Sequence, residues 1–352
     1  MRALAHGALT MTLHDHWYVA ARSADLRAGQ VRRVTVMARS WALFRGQDGA
    51  PAALEDRCRH RAGRLSSGCV QDGAVACPYH GWRYGPGGDL RLAPSEGDAT
   101  VRSPARAVPT APVVEQDGLI YLCPGRPPSP MPSFRVPDLT TPGFRAVRLH
   151  HRFDNDVAAC VQNFLDVPHT PTVHPGVFRD ARAQRLTMTV RREGTTVSAE
   201  YVGEHDNLGW FRRLLNPTGA SITHRDRFVG PNITWVTYTF PRGRRAPWVL
   251  HIVSQCTPVG PWQTDVYTDV TFRYGAWTAL ATPLVAWTSR RIIAEDLRVL
   301  ADQAAVRREL GERAPCSTPA DVLHGAIDAV IAAMADDAEA PVGADQTVAF
   351  LA

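Results

Sequence analysis

Residues 31–45 (VRRVTVMARSWALFR) and 113–123 (VVEQDGLIYLC) alternate apolar with polar or run apolar together. That is the pattern of short strands with one or both faces buried. These stretches bracket two short Cys/His loops, so a small β domain is expected over 13–124. Residues 125–143 are rich in Pro and predict an extended linker. Beyond it, LTMTVRREGTTVSAEYVG, NITWVTYTFP, WVLHIVSQCTPV and TDVYTDVTFRYG carry strand patterning. Two segments have helical periodicity. One opens at Thr282-Pro283, with Thr at the N-cap and Pro at N1, and runs to about Arg308. The other opens at Thr318-Pro319-x-Asp321 and covers DVLHGAIDAVIAAMADD. Strands followed by helices on one face of an antiparallel sheet make the class α+β, with a second domain over 144–352. No internal repeat is visible.

Composition narrows the setting. At 352 residues the chain accommodates two domains. No apolar run is long enough to span a membrane, and the N-terminal apolar stretch is too short for a signal peptide. Met11 is an alternative start to Met1. All 39 basic residues are Arg, dispersed among 34 acidic ones, with a net charge of +5. Dispersed Arg argues against nucleic-acid binding, while a positive balance suits docking of an acidic electron donor. Seven Cys stand singly without disulfide spacing, which favours the cytoplasm.

Two of those Cys change the picture. Cys58-x-His60 and, after sixteen residues, Cys77-x-x-His80 are two loops with one thiolate and one imidazole each. Such loops can hold a [2Fe–2S] cluster in which one iron takes both Cys and the other both His. Gly63, Gly68, Pro78 and Gly81 supply turn chemistry, and Trp82 and Tyr84 are placed to cover the cluster. The rival is a structural zinc site, but zinc knuckles usually pair Cys with Cys and His with His.

A second constellation lies in NDVAACVQNFLDVPHTPTVHPGVF, residues 155–178. Asn163, Asp166 and His169 are three apart and are expected on one face of a helix ending near Pro168. His174 follows five residues after His169. Two His and a carboxylate make the facial triad of non-haem Fe(II) oxygenases, which leaves positions open for O2. The carboxylate candidate is Asp296, expected to share an apolar helix face with Ile292, Ile293, Val299, Leu300 and Gln303. An unpaired carboxylate there is costly unless a cation or an Arg compensates it. Glu295 instead shares a solvated charge face with Arg291, Arg298 and Asp302.

Together these segments resemble the catalytic subunit of a Rieske non-haem iron oxygenase, in the branch of vanillate and dicamba O-demethylases and caffeine N-demethylase. The likeness starts at His16-Trp17-Tyr18-Val19-Ala20, passes through the loops and Gly118-Leu119-Ile120-Tyr121, and ends on the Glu295-Asp296 helix. It implies a helix-grip catalytic domain. It implies that Cys58, His60, Cys77 and His80 bind the cluster and that His169, His174 and Asp296 bind one mononuclear Fe(II). Asp166 would bridge His169 to His80 of a neighbouring subunit in a head-to-tail homotrimer, and Asn163 would sit beside the iron. NADH would deliver electrons through a ferredoxin or a flavin/iron–sulfur reductase.

The expected reaction is O2-dependent hydroxylation or oxidative demethylation of an apolar aromatic or heterocyclic small molecule. Hydroxylation of a sterol-like polycyclic lipid is the alternative, and an electron carrier without oxygenase chemistry the second. Trp235, Tyr238, Phe240 and Trp262 are candidate pocket aromatics, with His205, Asn207 and Trp210 as further lining.

Overall fold

The computed structural model describes residues 12–176, 185–204, 221–338 and 343–352. They divide into two compact units. Among the described residues, one holds 12–135 together with Thr257–Gly260; the other holds those of Val136–Cys256 and Pro261–Ala352.

The first unit is all β. Its strands are β1 (Tyr18–Arg22), β2 (Val31–Val36), β3 (Arg39–Arg45), β4 (Pro51–Glu55), β5 (Cys69–Gln71), β6 (Ala74–Ala76), β7 (Arg83–Tyr84), β8 (Leu90–Leu92), β9 (Thr110–Ala111), β10 (Val113–Gln116) and β11 (Leu119–Leu122). They form three sheets, in the orders β2-β3-β4-β9, β1-β11-β10 and β5-β6-β7-β8. The apolar run Trp41-Ala42-Leu43-Phe44 on β3 explains the arrangement. Trp41 and Leu43 pack with Tyr18, Val36, Ile120 and Leu122. Ala42 and Phe44 face the other way, into the cluster that holds Leu54, Leu65, Val75 and Tyr84. A strand buried on both faces reads as a continuous apolar stretch.

Three tight turns join these strands, each with two consecutive residues at positive φ: Met37-Ala38, Asp72-Gly73 and Asp117-Gly118. Such turns match the twist of antiparallel pairs and favour Asp-Gly. Met37-Ala38 lacks that chemistry. Its two N–H groups donate instead to the carbonyls of Pro258 and Val259, at 2.7 and 3.2 Å.

The second unit is built on an eight-stranded sheet: β12 (Arg145–Phe153), β13 (Arg185–Glu193), β14 (Thr196–Val202), β15 (Thr223–Val229), β16 (Ile233–Arg242), β17 (Arg245–Gly260), β18 (Gln263–Arg273) and β19 (Gln346–Leu351). The order is β12-β18-β17-β16-β15-β14-β13-β19. The α-helices among the described residues are α1 (Val157–Phe164), α2 (Thr170–Val173), α3 (Thr278–Leu310) and α4 (Val322–Ala335). The α+β class and the small β domain are as expected, and the four patterned segments are β13–β14, β16, β17 and β18.

Two helix boundaries differ from expectation. Helix α3 starts four residues before Thr282, and Pro283 lies inside it. The Thr278 hydroxyl accepts from the Tyr274 N–H and donates to the Gly275 carbonyl, which closes the turn Gly275–Trp277 that leads into α3. The proposed single helix through Asn163, Asp166 and His169 is two. Helix α1 ends at Phe164, and His169 opens the short α2. Pro168 lacks an N–H and disfavours helical geometry in Val167, which breaks the run.

Candidate metal and substrate site

The two Cys/His loops have the same backbone. In the first, the Cys58 N–H donates to Gly63 O at 2.9 Å and the Ala62 N–H to Cys58 O at 3.0 Å. In the second, the Cys77 N–H donates to Trp82 O at 2.8 Å and the Gly81 N–H to Cys77 O at 3.0 Å. Each turn needs a left-handed residue at its fifth position, filled by Ala62 (φ 56°) and Gly81 (φ 68°). Asp56 anchors the first loop by accepting from the Ser66 N–H and hydroxyl at 2.7 and 2.6 Å.

These turns bury both thiols and leave both imidazoles exposed. The His60 and His80 rings lie 4.5 Å apart between centroids. His60 stacks on Trp82, and the Tyr84 hydroxyl lies 3.4 Å from Cys58 Sγ. A Cβ added at Gly63 would stand 3.1 Å from Cys77 Sγ, tighter than ordinary contact, so glycine spares the sulfur a crowded neighbour. Burial pushes the Cys77 thiol up, against the N–H groups of Tyr79 and His80 that point at it. Two buried thiols beneath two exposed imidazoles fit a cluster with one thiolate iron and one imidazole iron. Zinc knuckles pair like with like, which this layout does not.

The second site forms where α1, α2 and α3 face the sheet. Asp156 caps α1 by accepting from the Ala159 N–H at 2.8 Å. Asn155 ties the start of this segment to α3 through Leu300 O, at 2.9 Å. His169 Nε2, His174 Nε2 and Asp296 Oδ1 converge, each within 4.8 Å of the others. The Nε2–Nε2 separation is 3.3 Å, and Asp296 Oδ1 lies 3.0 Å from His174 and 3.6 Å from His169.

The protons settle what this triangle can hold. His174 Nδ1 lies 2.8 Å from Glu295 Oε2, and His169 Nδ1 makes a short contact with the Asp166 carbonyl. A ring nitrogen facing an acceptor carries the proton, which leaves a lone pair on each Nε2. Asp296 Oδ1 is buried and meets no hydrogen-bond donor. Three lone pairs thus point at one spot. Their edges match those expected for adjacent ligands at about 2.1 Å from a cation, roughly 3 Å apart at right angles. The residues fit a mononuclear metal. Without one, a proton serves: against burial, Asp166 and Asp296 push His169 up to about 9. Burial opposes the Asp296 anion, yet His169, His174 and Asn163 hold its carboxyl below the ordinary range.

A cavity opens beside this triangle. Helix side chains Asn163, Ile292 and Ile293 form one wall, and the sheet supplies His224, Asp226, Thr234, Val236, Tyr238, Ile252, Ser254 and Thr268. Of the four candidate aromatics only Tyr238 lines it. Phe240 is buried core. Trp235, an odd number of residues away, faces the other side of the sheet and stacks under Arg227. Trp262 lies under Arg307 and Arg308. His205, Asn207 and Trp210 fall outside the described residues. Val299 is exposed rather than sharing the Asp296 face.

Two contributors were not expected. Glu295 does not merely face solvent: it accepts from Arg291 at 3.0 Å and reaches His174. His224 and Asp226 sit on β15, whose sequence THRDRFV looks too charged for a buried strand. Its alternation of His224, Asp226 and Phe228 as buried positions was the available signal.

Comparison with known proteins agrees with this geometry. Residues 16–112 match the Rieske [2Fe–2S] domain family. Residues 154–337, more than half of the chain, match the vanillate O-demethylase oxygenase C-terminal domain. Dicamba O-demethylase, oxygenase component, of Stenotrophomonas maltophilia is 36% identical over 165 residues, 46% of this chain and 48% of that protein. Chlorophyllide a oxygenase of Arabidopsis thaliana is 32% identical over 169 residues, 47% of this chain and 30% of that one. The matches thus span less than half the length of these two relatives. In fold, the chain resembles dicamba monooxygenase bound to dicamba, with TM-score 0.79, 22% identity, and 93% and 98% of the two chains covered. It also resembles NdmA of Pseudomonas putida CBB5, with TM-score 0.68, 18% identity and 92% of each chain covered. A [2Fe–2S] domain followed by this C-terminal domain places the chain in the Rieske non-haem iron oxygenase family.

Proposed function

We propose that the chain is the oxygenase component of a Rieske monooxygenase, acting on an apolar aromatic or heterocyclic small molecule by hydroxylation or oxidative demethylation. The observation that carries this is the convergence of His169 Nε2, His174 Nε2 and the buried Asp296 Oδ1 beside a cavity. In this reading Cys58, His60, Cys77 and His80 hold the [2Fe–2S] cluster, and His169, His174 and Asp296 hold one Fe(II). The domain limits are 13–124, 125–143 and 144–352. NADH supplies electrons through a separate ferredoxin-type or flavin/iron–sulfur reductase, in the cytoplasm. When bound, the cluster supplies single electrons and the mononuclear iron supplies O2 activation.

The chain's own residues orient and shield. Glu295 and the Asp166 carbonyl fix which nitrogen of each imidazole faces the centre. Asn163 lines the cavity together with Asp296 and, after His169 and His174, favours its anion. Ile292, Ile293, Val236 and Ile252 give the cavity dry walls that orient an apolar ring. If the oxidised carbon is an O- or N-methyl, the hydroxylated product expels formaldehyde and leaves the demethylated compound. Asp166 is part-exposed, with Oδ2 at 3.6 Å from His169 Nδ1, and His80 is exposed. This supports the assignment of Asp166 as the bridge from His169 to His80 of a neighbouring subunit in a homotrimer.

The test is NADH-dependent O2 uptake with a reductase and aromatic methyl ethers or N-methyl heterocycles, scored by formaldehyde release. Asp296→Ala should abolish it. O2 uptake and formaldehyde release unchanged by that substitution would refute the assignment.

A further inference from the structure

The sheet side of the cavity carries a row of hydroxyls that the proposed chemistry does not use. Thr234 on β16 stands opposite Ser254 on β17. Ser254 Oγ in turn lies 3.1 Å from Thr268 Oγ1 on β18. The three strands are neighbours in the sheet. All three side chains line the cavity that holds His169, His174 and Asp296, and the residues are only 1%, 4% and 6% exposed. The row is polar in its middle alone. Phe228 stands opposite Thr234 at one end, and Leu149 stands opposite Thr268 at the other. Two residues along the strands, the next pair on the cavity is Val236 opposite Ile252.

Plain sheet filling is the rival account, since Thr favours strands. Counting hydrogens argues against it. Ser254 and Thr268 each carry one O–H, and the bond between them uses one of the two. The other meets no acceptor among the described residues, and the Thr234 hydroxyl meets no partner there. Two buried O–H donors therefore border the cavity with nothing from the chain to accept them. A buried hydroxyl left unpaired is costly, and an apolar side chain in its place would avoid that cost. A ligand oxygen that accepts from both would offset it. Hydroxyls bring no charge to compensate an anion, so the matching group is neutral and has two lone pairs, as a carbonyl oxygen has. A site built to hydrogen-bond one group discriminates against an analogue lacking it, because its own donors are then left unpaired.

We propose that Thr234, Ser254 and Thr268 form a substrate-recognition subsite that holds a neutral carbonyl oxygen of an aromatic or heterocyclic substrate and so limits how the ring can turn in the cavity. Thr234 supplies one donor, and the Ser254–Thr268 pair supplies the second. The proposal rests on reading this cavity as the substrate site of an oxygenase.

The test compares ligands of one shape. The iron-loaded protein is titrated with methoxyacetophenone and with its isopropenyl analogue, in which C=CH2 replaces C=O, using calorimetry or thermal shift. Both are taken as meta and para isomers. The analogue is the more apolar, so a cavity without the subsite would favour it. The ketone should nevertheless bind about tenfold more tightly in at least one isomer, through two neutral hydrogen bonds. In Thr234→Val/Ser254→Ala that advantage should vanish. A ketone that binds no more tightly than its analogue in the unmodified protein, or does not bind, overturns the proposal without any variant. So does an unchanged preference in the folded double variant. The iron content of the same samples tests the underlying reading separately. A chain with mononuclear iron and no ketone preference loses the subsite and keeps the oxygenase. A chain that takes up no mononuclear iron but prefers the ketone keeps the subsite and refutes the oxygenase.

Discussion

His174 has both ring nitrogens committed, one to Glu295 and the other to the metal triangle. Removing the Glu295 charge should loosen that commitment. Glu295→Gln is expected to weaken Fe(II) binding about 10- to 100-fold in chelator competition, with cluster absorbance unchanged. Unchanged iron retention would show that Glu295 serves only Arg291. His224 gives a second prediction. Burial alone would lower its pKa, but Asp226 and Glu204 overcome it and push His224 up to about 9, above the ordinary value of about 6.5. A raised pKa adds stability that is fully present below about pH 6.5 and is lost as pH rises through about 9. The thermal midpoint should therefore fall between pH 7 and 10, and fall less in His224→Gln. An equal fall in both proteins would contradict this.

The matched turns of the Cys/His loops belong to the scale of elements. Gly81 is left-handed, and a Cβ there would approach Pro94 Cγ to 3.0 Å. Ala62 already tolerates the same conformation in the other loop. Gly81→Ala should cost about 1–2 kcal/mol and lower the sulfide content of purified protein. Ala62→Gly should leave the cluster intact. Equal cluster occupancy in Gly81→Ala and the unmodified protein would show that Pro94 yields and that this turn accepts a Cβ as the Ala62 turn does. Elements also show where the sequence could be read and where it could not. The Cys/His spacing and the His169/His174 pair are local, so their types and intervals announced them. The break between α1 and α2 lies inside the three-residue spacing of Asn163, Asp166 and His169, where Pro168 interrupts the helix. Glu295 looked like part of a solvated face because its partner, His174, lies 121 residues away. Asp226 and His224 were hidden because β15 buries charges that only distant carboxylates and tyrosines make tolerable. Helix α3 starts at Thr278, directly after the turn its hydroxyl closes on Gly275, and so includes Thr282-Pro283.

At the scale of the molecule, the proposed function requires the two centres to exchange electrons, and Asp166 is the residue proposed for that passage. Asp166→Asn keeps the backbone carbonyl that holds His169, so both metal centres should survive. NADH-coupled turnover should fall about 10- to 100-fold, while the elution volume of the protein is unchanged. Wild-type turnover in that variant would remove Asp166 from the electron path. Everything above depends on one chain holding both kinds of iron. The most direct measurement is iron and acid-labile sulfide per chain in purified, reconstituted protein. The account predicts three irons and two sulfides, falling to two irons and two sulfides in Asp296→Ala. Two irons and two sulfides in the unmodified protein would contradict it and leave an electron carrier.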